Sequence, residues 1–171
     1  MMNSPKTLMP QHSANRPGAR RRSLQSGVGL IEVLVAVLVL SIAFLGIAAL
    51  QAMSMSTNNS AMARSMATIS SYSILDAMRA DMNTARAGTY NTTVAANNCP
   101  DTSAGTLASA QLAQWCTQLG QSLGAAATTT GLVACTDTGS SADCTVTITF
   151  DDSRAGVGGS SVQKVITRAM L

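Results

Sequence analysis

Hydrophobic positions are distributed unevenly along this chain, and the densest block lies near its start. From Val28 to Leu50 almost every residue is apolar, and the one charge is Glu32. A helix of roughly 23 residues rising ~1.5 Å per residue reaches ~34 Å, enough for a hydrocarbon core of ~30 Å. The block therefore predicts a membrane-spanning helix over 28–50. Beyond Leu50 the residues turn small and polar. Ser54, Ser56, Thr57, Asn58, Asn59 and Ser60 are mediocre helix formers, yet no proline interrupts the chain between Ala19 and Cys99. Tyr72, Leu75, Met78 and Met82 recur at steps of three and four, which predicts one apolar stripe on a helix continuing over 51–87. Arg79 and Arg86 lie toward its end, where cations favour the helix dipole, and Gly88 supplies the stop.

Residues 88–171 predict a head of different texture. The segment from Gly88 to about Gly131 is rich in Ala, Thr, Ser and Asn, with Ala108, Leu112, Trp115, Leu119 and Leu123 on one helical face. A short amphipathic helix near 104–121 is expected there, anchored in the core by Trp115. The period then changes to two: Thr145-Val146-Thr147-Ile148-Thr149-Phe150 alternates polar and apolar with β-branched residues, the pattern of a half-buried strand. Leu132 to Cys135 before it and Val162 to Met170 after it read as its antiparallel partners. Val165 and Ile166 are both apolar, so the last strand's register is left open. Asp151-Asp152 reads as a solvated strand end or as an ion ligand.

Charge changes the picture at the N-terminal end. Lys6, Arg16, Arg20, Arg21 and Arg22 precede Gly27, with no acidic residue among them. Basic residues beside an apolar helix stay cytoplasmic, and nothing basic follows until Arg64, which places the N-terminus inside and the head outside. The formal net charge of +3 is a property of this leader. Without its five positives, six Lys+Arg face eight Asp+Glu, so a nucleic-acid partner is not expected. Glu32 is costly in an apolar helix, of order 2.5 to 3.5 kcal/mol at the bilayer centre and less near one end. Either it snorkels to the headgroups or it has a task.

A basic leader, then Gly27, then an apolar helix with its carboxylate five residues beyond the glycine resemble the class III signal of type IV pilins and type II secretion pseudopilins. The resemblance is specific at Gly27, Leu30, Ile31, Glu32, Val33 and Leu34, and continues through Leu38 to Ile42. The run Leu45-Gly46-Ile47-Ala48-Ala49-Leu50-Gln51 most resembles PilV-type minor pilins, the type IV pilus modification proteins. Val28-Gly29 stands where that family usually has Phe-Thr, and Ser26 where it has a basic residue. The resemblance implies an α+β, type IV pilin-like fold, with a long N-terminal helix packed on a small antiparallel sheet of about three to four strands. It also implies cleavage between Gly27 and Val28 by a prepilin peptidase, and methylation of Val28. The expected parts are a removed leader (1–27), a membrane and assembly half of the helix (28–50), its soluble half (51–87) and a periplasmic head (88–171). The expected partners are that peptidase, other major and minor pilins, the inner-membrane pilus assembly platform and the membrane. In a bundle of such helices the Glu32 carboxylate needs a cation, and a methylated ammonium on Val28 of a neighbouring subunit supplies one.

Cys99, Cys116, Cys135 and Cys144 fall on the side expected outside the cytoplasm, where disulfides persist. Three connectivities are possible; local closure suggests Cys99 with Cys116 and Cys135 with Cys144. A zinc site fits poorly, since there is no CxxC pair and the one histidine lies in the leader. No nucleophile motif or phosphate loop is present, so neither an enzyme nor a cofactor is expected. Two classes remain. One is a structural subunit of a pilus or a secretion pseudopilus, held in the inner membrane or incorporated in the fibre. The other is a membrane-anchored periplasmic binding module that keeps its leader.

Overall fold

The computed structural model describes Gly27 and residues 29–102, 105–156 and 158–171. The expected leader over 1–26 and the expected new N-terminus at Val28 lie outside the described residues. The chain divides into two compact units, residues 1–42 and 43–171.

In the first unit the described structure is the opening of helix α1 (Leu30–Ala80). Glu32 and Val33 N–H groups donate to Gly29 O at 2.9 and 3.3 Å, closing the first turn. Every described residue from Gly29 to Ile42 is exposed. Ser41, the hydroxyl in this apolar stretch, donates back to Val37 O at 2.7 Å and so carries no unsatisfied donor.

The second unit holds the remainder of α1, then α2 (Met82–Arg86), β1 (Thr92–Ala95), α3 (Leu107–Leu123), β2 (Thr130–Asp137), β3 (Ala142–Phe150), a 3₁₀ turn (Ser153–Ala155) and β4 (Gln163–Met170). The polar part of α1 stays helical because its hydroxyls are satisfied within it. Thr57, Ser65, Thr68 and Ser71 each donate to the carbonyl four residues earlier, at 2.9 to 3.0 Å.

Two expectations for α1 are corrected. A helix unbroken to residue 87 is interrupted at Asp81, whose N–H donates to Met78 O three residues back. The Asp81 carboxylate accepts from Thr84 Oγ1 at 2.7 Å and Tyr90 OH at 3.2 Å, which hold its backbone out of the helical region at φ −126°. The buried stripe is also rotated. Ile74, Leu75 and Met78 are buried, but so are Ala67, Ser70 and Ser71, while Tyr72 is 53% exposed. Small residues win this face because α3 approaches it closely enough for Trp115 Nε1 to donate to Ser70 O at 2.9 Å.

The sheet is antiparallel throughout, in the order β1-β2-β3-β4. Ala142, Cys144, Val146, Ile148 and Phe150 alternate inward along β3 and form the centre of the core with α1 and α3. Helix α3 starts and ends slightly later than the predicted 104–121. Its N-cap is Thr106, whose hydroxyl accepts from Ser109 N–H at 3.2 Å. Gly131 on β2 lets that helix lie on the sheet: a Cβ there would sit 2.4 Å from the Trp115 ring. Strand β1 lies in the Ala-, Thr-, Ser- and Asn-rich stretch, for which the sequence predicts no strand. Only Val94 of its four residues is fully buried, so it carries almost no periodic signal. The register left open at β4 is fixed by the pairs Thr147 with Ile166 and Ile148 with Val165. Val165 is half-buried and Ile166 is 65% exposed.

Candidate processing and assembly segment

The candidate segment runs from Gly27 into the first turns of α1. A Cβ added at Gly27 would meet nothing within 4 Å among the described residues. Glu32 lies in the first turn of α1, one turn earlier than a helix starting at Val28 would place it. There its charge is favoured by the helix dipole, which offsets part of the cost of an apolar setting. Among the described residues Glu32 makes no ion pair. The apolar window of α1 has a mean hydropathy of 3.0 with none of it buried, so the helix is long and apolar enough to cross a membrane.

The cysteines meet in two pairs. Cys99 bonds Cys116 with Cα atoms 5.5 Å apart, tying the chain after β1 to α3. Cys135 bonds Cys144 across β2 and β3, with Cα atoms 4.0 Å apart. Of the two kinds of antiparallel pair, this is the kind that exchanges no backbone hydrogen bonds, in which side chains approach most closely. Among the described residues no group of three or more His, Cys, Asp or Glu could hold a metal ion.

Three polar contacts in the head were not anticipated. Asp151 is exposed and accepts from Ser153 N–H at 2.8 Å, as a strand end should. Asp152 departs from the solvated expectation: it is buried and accepts from Ser60 Oγ at 2.5 Å, with Arg64 at 3.5 Å. Ser56 Oγ donates to Arg154 O and Arg64 Nη2 to Gly158 O, so one side of α1 holds Asp152, Arg154 and Gly158. These partners are more than ninety residues apart in the chain, and no local pattern links them. Tyr90 is the second case. Its OH donates to the Asp81 carboxylate and to Gln111, and burial, reinforced by the Asp81 charge, pushes its pKa up to about 12. The third is Asn91, whose amide exchanges two hydrogen bonds with the Cys135 backbone, at 2.7 and 2.9 Å.

Residues 22–48 match the family model of the prokaryotic N-terminal methylation motif. No curated protein and no solved structure matches the chain. The matched motif is one of structural subunits, not of an enzyme family, and it implies processing by a prepilin peptidase and association with a membrane or a pilus. It supports reading this chain as a pilin or pseudopilin subunit.

Proposed function

We propose that this chain is a minor pilin of the type IV system, cut between Gly27 and Val28, methylated on Val28 and assembled with other pilins through its apolar helix. The observation that carries the reading is the methylation-motif match over 22–48, lying on an exposed apolar helix whose first turn holds Glu32. Glu32 then neutralises the methylated ammonium of a neighbouring subunit and sets the stagger between them. The run from Leu45 to Gln51 favours the PilV-type subgroup over a type II secretion pseudopilin. A head held by two disulfides suits a periplasmic location.

Mass spectrometry of the chain recovered from membranes tests this reading. The expected species begins at Val28 and carries one extra methyl group. A chain that still carries its leader would instead identify a membrane-anchored binding module and overturn the proposal. Gly27→Leu is expected to block the cut, and an unchanged mature mass would show that the site lies elsewhere.

A further inference from the structure

The two edge strands of the sheet differ in length, four residues in β1 and eight in β4. Just before β1 begins, the Asn91 amide takes over the ladder and satisfies both the N–H and the C=O of Cys135. Ala95 bridges to Asn98 on the same side. At the other side, among the described residues, β4 pairs only with β3.

The phase of that ladder follows from one pair. Ala142 and Leu171 exchange both backbone bonds, at 3.1 and 2.8 Å, so Gln163, Val165, Thr167 and Ala169 bond to β3. The N–H and C=O groups of Lys164, Ile166, Arg168 and Met170 therefore point away from the sheet. Among the described residues the one hydrogen bond to these outward groups is that of Gln163 Nε2 to Lys164 O, at 3.4 Å.

Such a row is a template for another strand, and proteins usually blunt it with charged side chains, lysine above all, or with a bulge, a proline or a covering element; here the charges are Lys164 and Arg168. Strand β4 is eight residues long, contains no proline or glycine, and has no bulge in its register with β3. Ile166 and Met170, 65% and 61% exposed, flank the open edge. Arg168 is neutralised by Asp143 on the neighbouring strand, whereas none of the ion pairs among the described residues includes Lys164.

We propose that the open edge of β4 accepts an extended segment of another protein subunit, antiparallel to β4, with an acidic residue opposite Lys164 and apolar residues opposite Ile166 and Met170. Main-chain bonds supply the affinity and the cross-strand pairs the selectivity. Lys164 acts as the selector: it repels a basic strand and a second copy in any register that opposes it to Lys164 or Arg168. The inference stands on the head alone and does not depend on processing at Gly27.

The test uses the full ¹⁵N-labelled chain in detergent micelles. Two synthetic probes are compared, acetyl-Thr-Val-Thr-Thr-Thr-Ile-Thr-Glu-Thr-amide and the same peptide with lysine for glutamate. The acidic peptide is expected to shift the amides of Lys164, Ile166, Arg168 and Met170 and to leave those of Val165, Thr167 and Ala169 in place. The lysine peptide should bind at least tenfold more weakly, and Lys164→Glu should reverse that preference. Ile166→Pro removes only an outward N–H, so it should abolish binding while the β3 ladder remains intact. Absence of binding at millimolar acidic peptide, equal affinity for both peptides, or equal shifts in both rows of amides would overturn the proposal. So would protection of the outward row that rises with protein concentration and no peptide, which would assign the edge to a second copy.

Discussion

At the scale of single residues, the head depends on a few contacts that allow little substitution. Gly131 is one: the Trp115 ring and Leu119 occupy the space a methyl group would need, at 2.4 and 2.8 Å. Gly131→Ala must displace α3 from the sheet, and overpacking of this kind costs about 1 to 3 kcal/mol, readable as a lower denaturation midpoint. Ser60→Ala leaves the buried Asp152 carboxylate, among the described residues, with Arg64 alone, and the expected loss is ~1 to 3 kcal/mol, with faster proteolysis after Arg154. Tyr90 gives a pH signature. Its folded pKa of about 12 lies above its ordinary value of 10.0, so its contribution is complete below pH 10 and is lost as pH rises toward 12. A stability profile over that range should fall in the wild-type protein and flatten in Tyr90→Phe. A profile unchanged by the substitution would assign the decline to other groups.

At the scale of elements, the β2–β3 hairpin is held at both ends of its turn. Cys135 and Cys144 close it by a covalent bond, and Asp137 accepts from Gly139 N–H and Arg86 Nε at 2.9 and 3.1 Å. The Gly139 N–H, and then Arg86, hold the Asp137 carboxyl below its usual range, so what it contributes is present at neutral pH and lost as pH falls below the ordinary carboxylate value. Loop-closure estimates of ~3 kcal/mol per bridge lead to an expected drop in thermal midpoint on reduction. Non-reducing peptide mapping should recover Cys99 with Cys116 and Cys135 with Cys144, and four alkylatable thiols would contradict both bridges. At this scale the sequence was legible where one period dominated. The alternation of Thr145 to Phe150 and the apolar face of Ala108, Leu112, Trp115 and Leu119 each translated directly into β3 and α3. Strand β1 and the break at Asp81 were not legible, because a four-residue edge strand and a carboxylate bonded to a distant tyrosine leave no periodic trace.

At the scale of the whole molecule, Glu32 is the decisive position for the proposed assembly role. Glu32→Ala removes a charge from an apolar helix, so insertion should be unharmed and cleavage after Gly27 should persist. Recruitment into sheared pili, or crosslinking to other pilins in the membrane, should fall, because a partner ammonium left buried without its counter-charge costs ~3 to 5 kcal/mol. Wild-type levels of Glu32→Ala in both fractions, with normal pilus number, would mean that the carboxylate only snorkels.

The sequence by itself determined the apolar helix, its single carboxylate, the basic flank and the methylation motif, because hydropathy and a local signal are written in consecutive residues. It also determined the class of the head, since periods of two and 3.6 report which side of each element is buried. Only the tertiary structure decided which face of α1 is covered and why it is lined by Ala67, Ser70 and Ser71. It alone brought Ser60 to Asp152, Tyr90 to Asp81 and Gln111, and the Asn91 amide to the end of β2. Those contacts join residues far apart in the chain through single hydrogen bonds. Such bonds depend on where the backbone passes, and no spacing along the sequence encodes that.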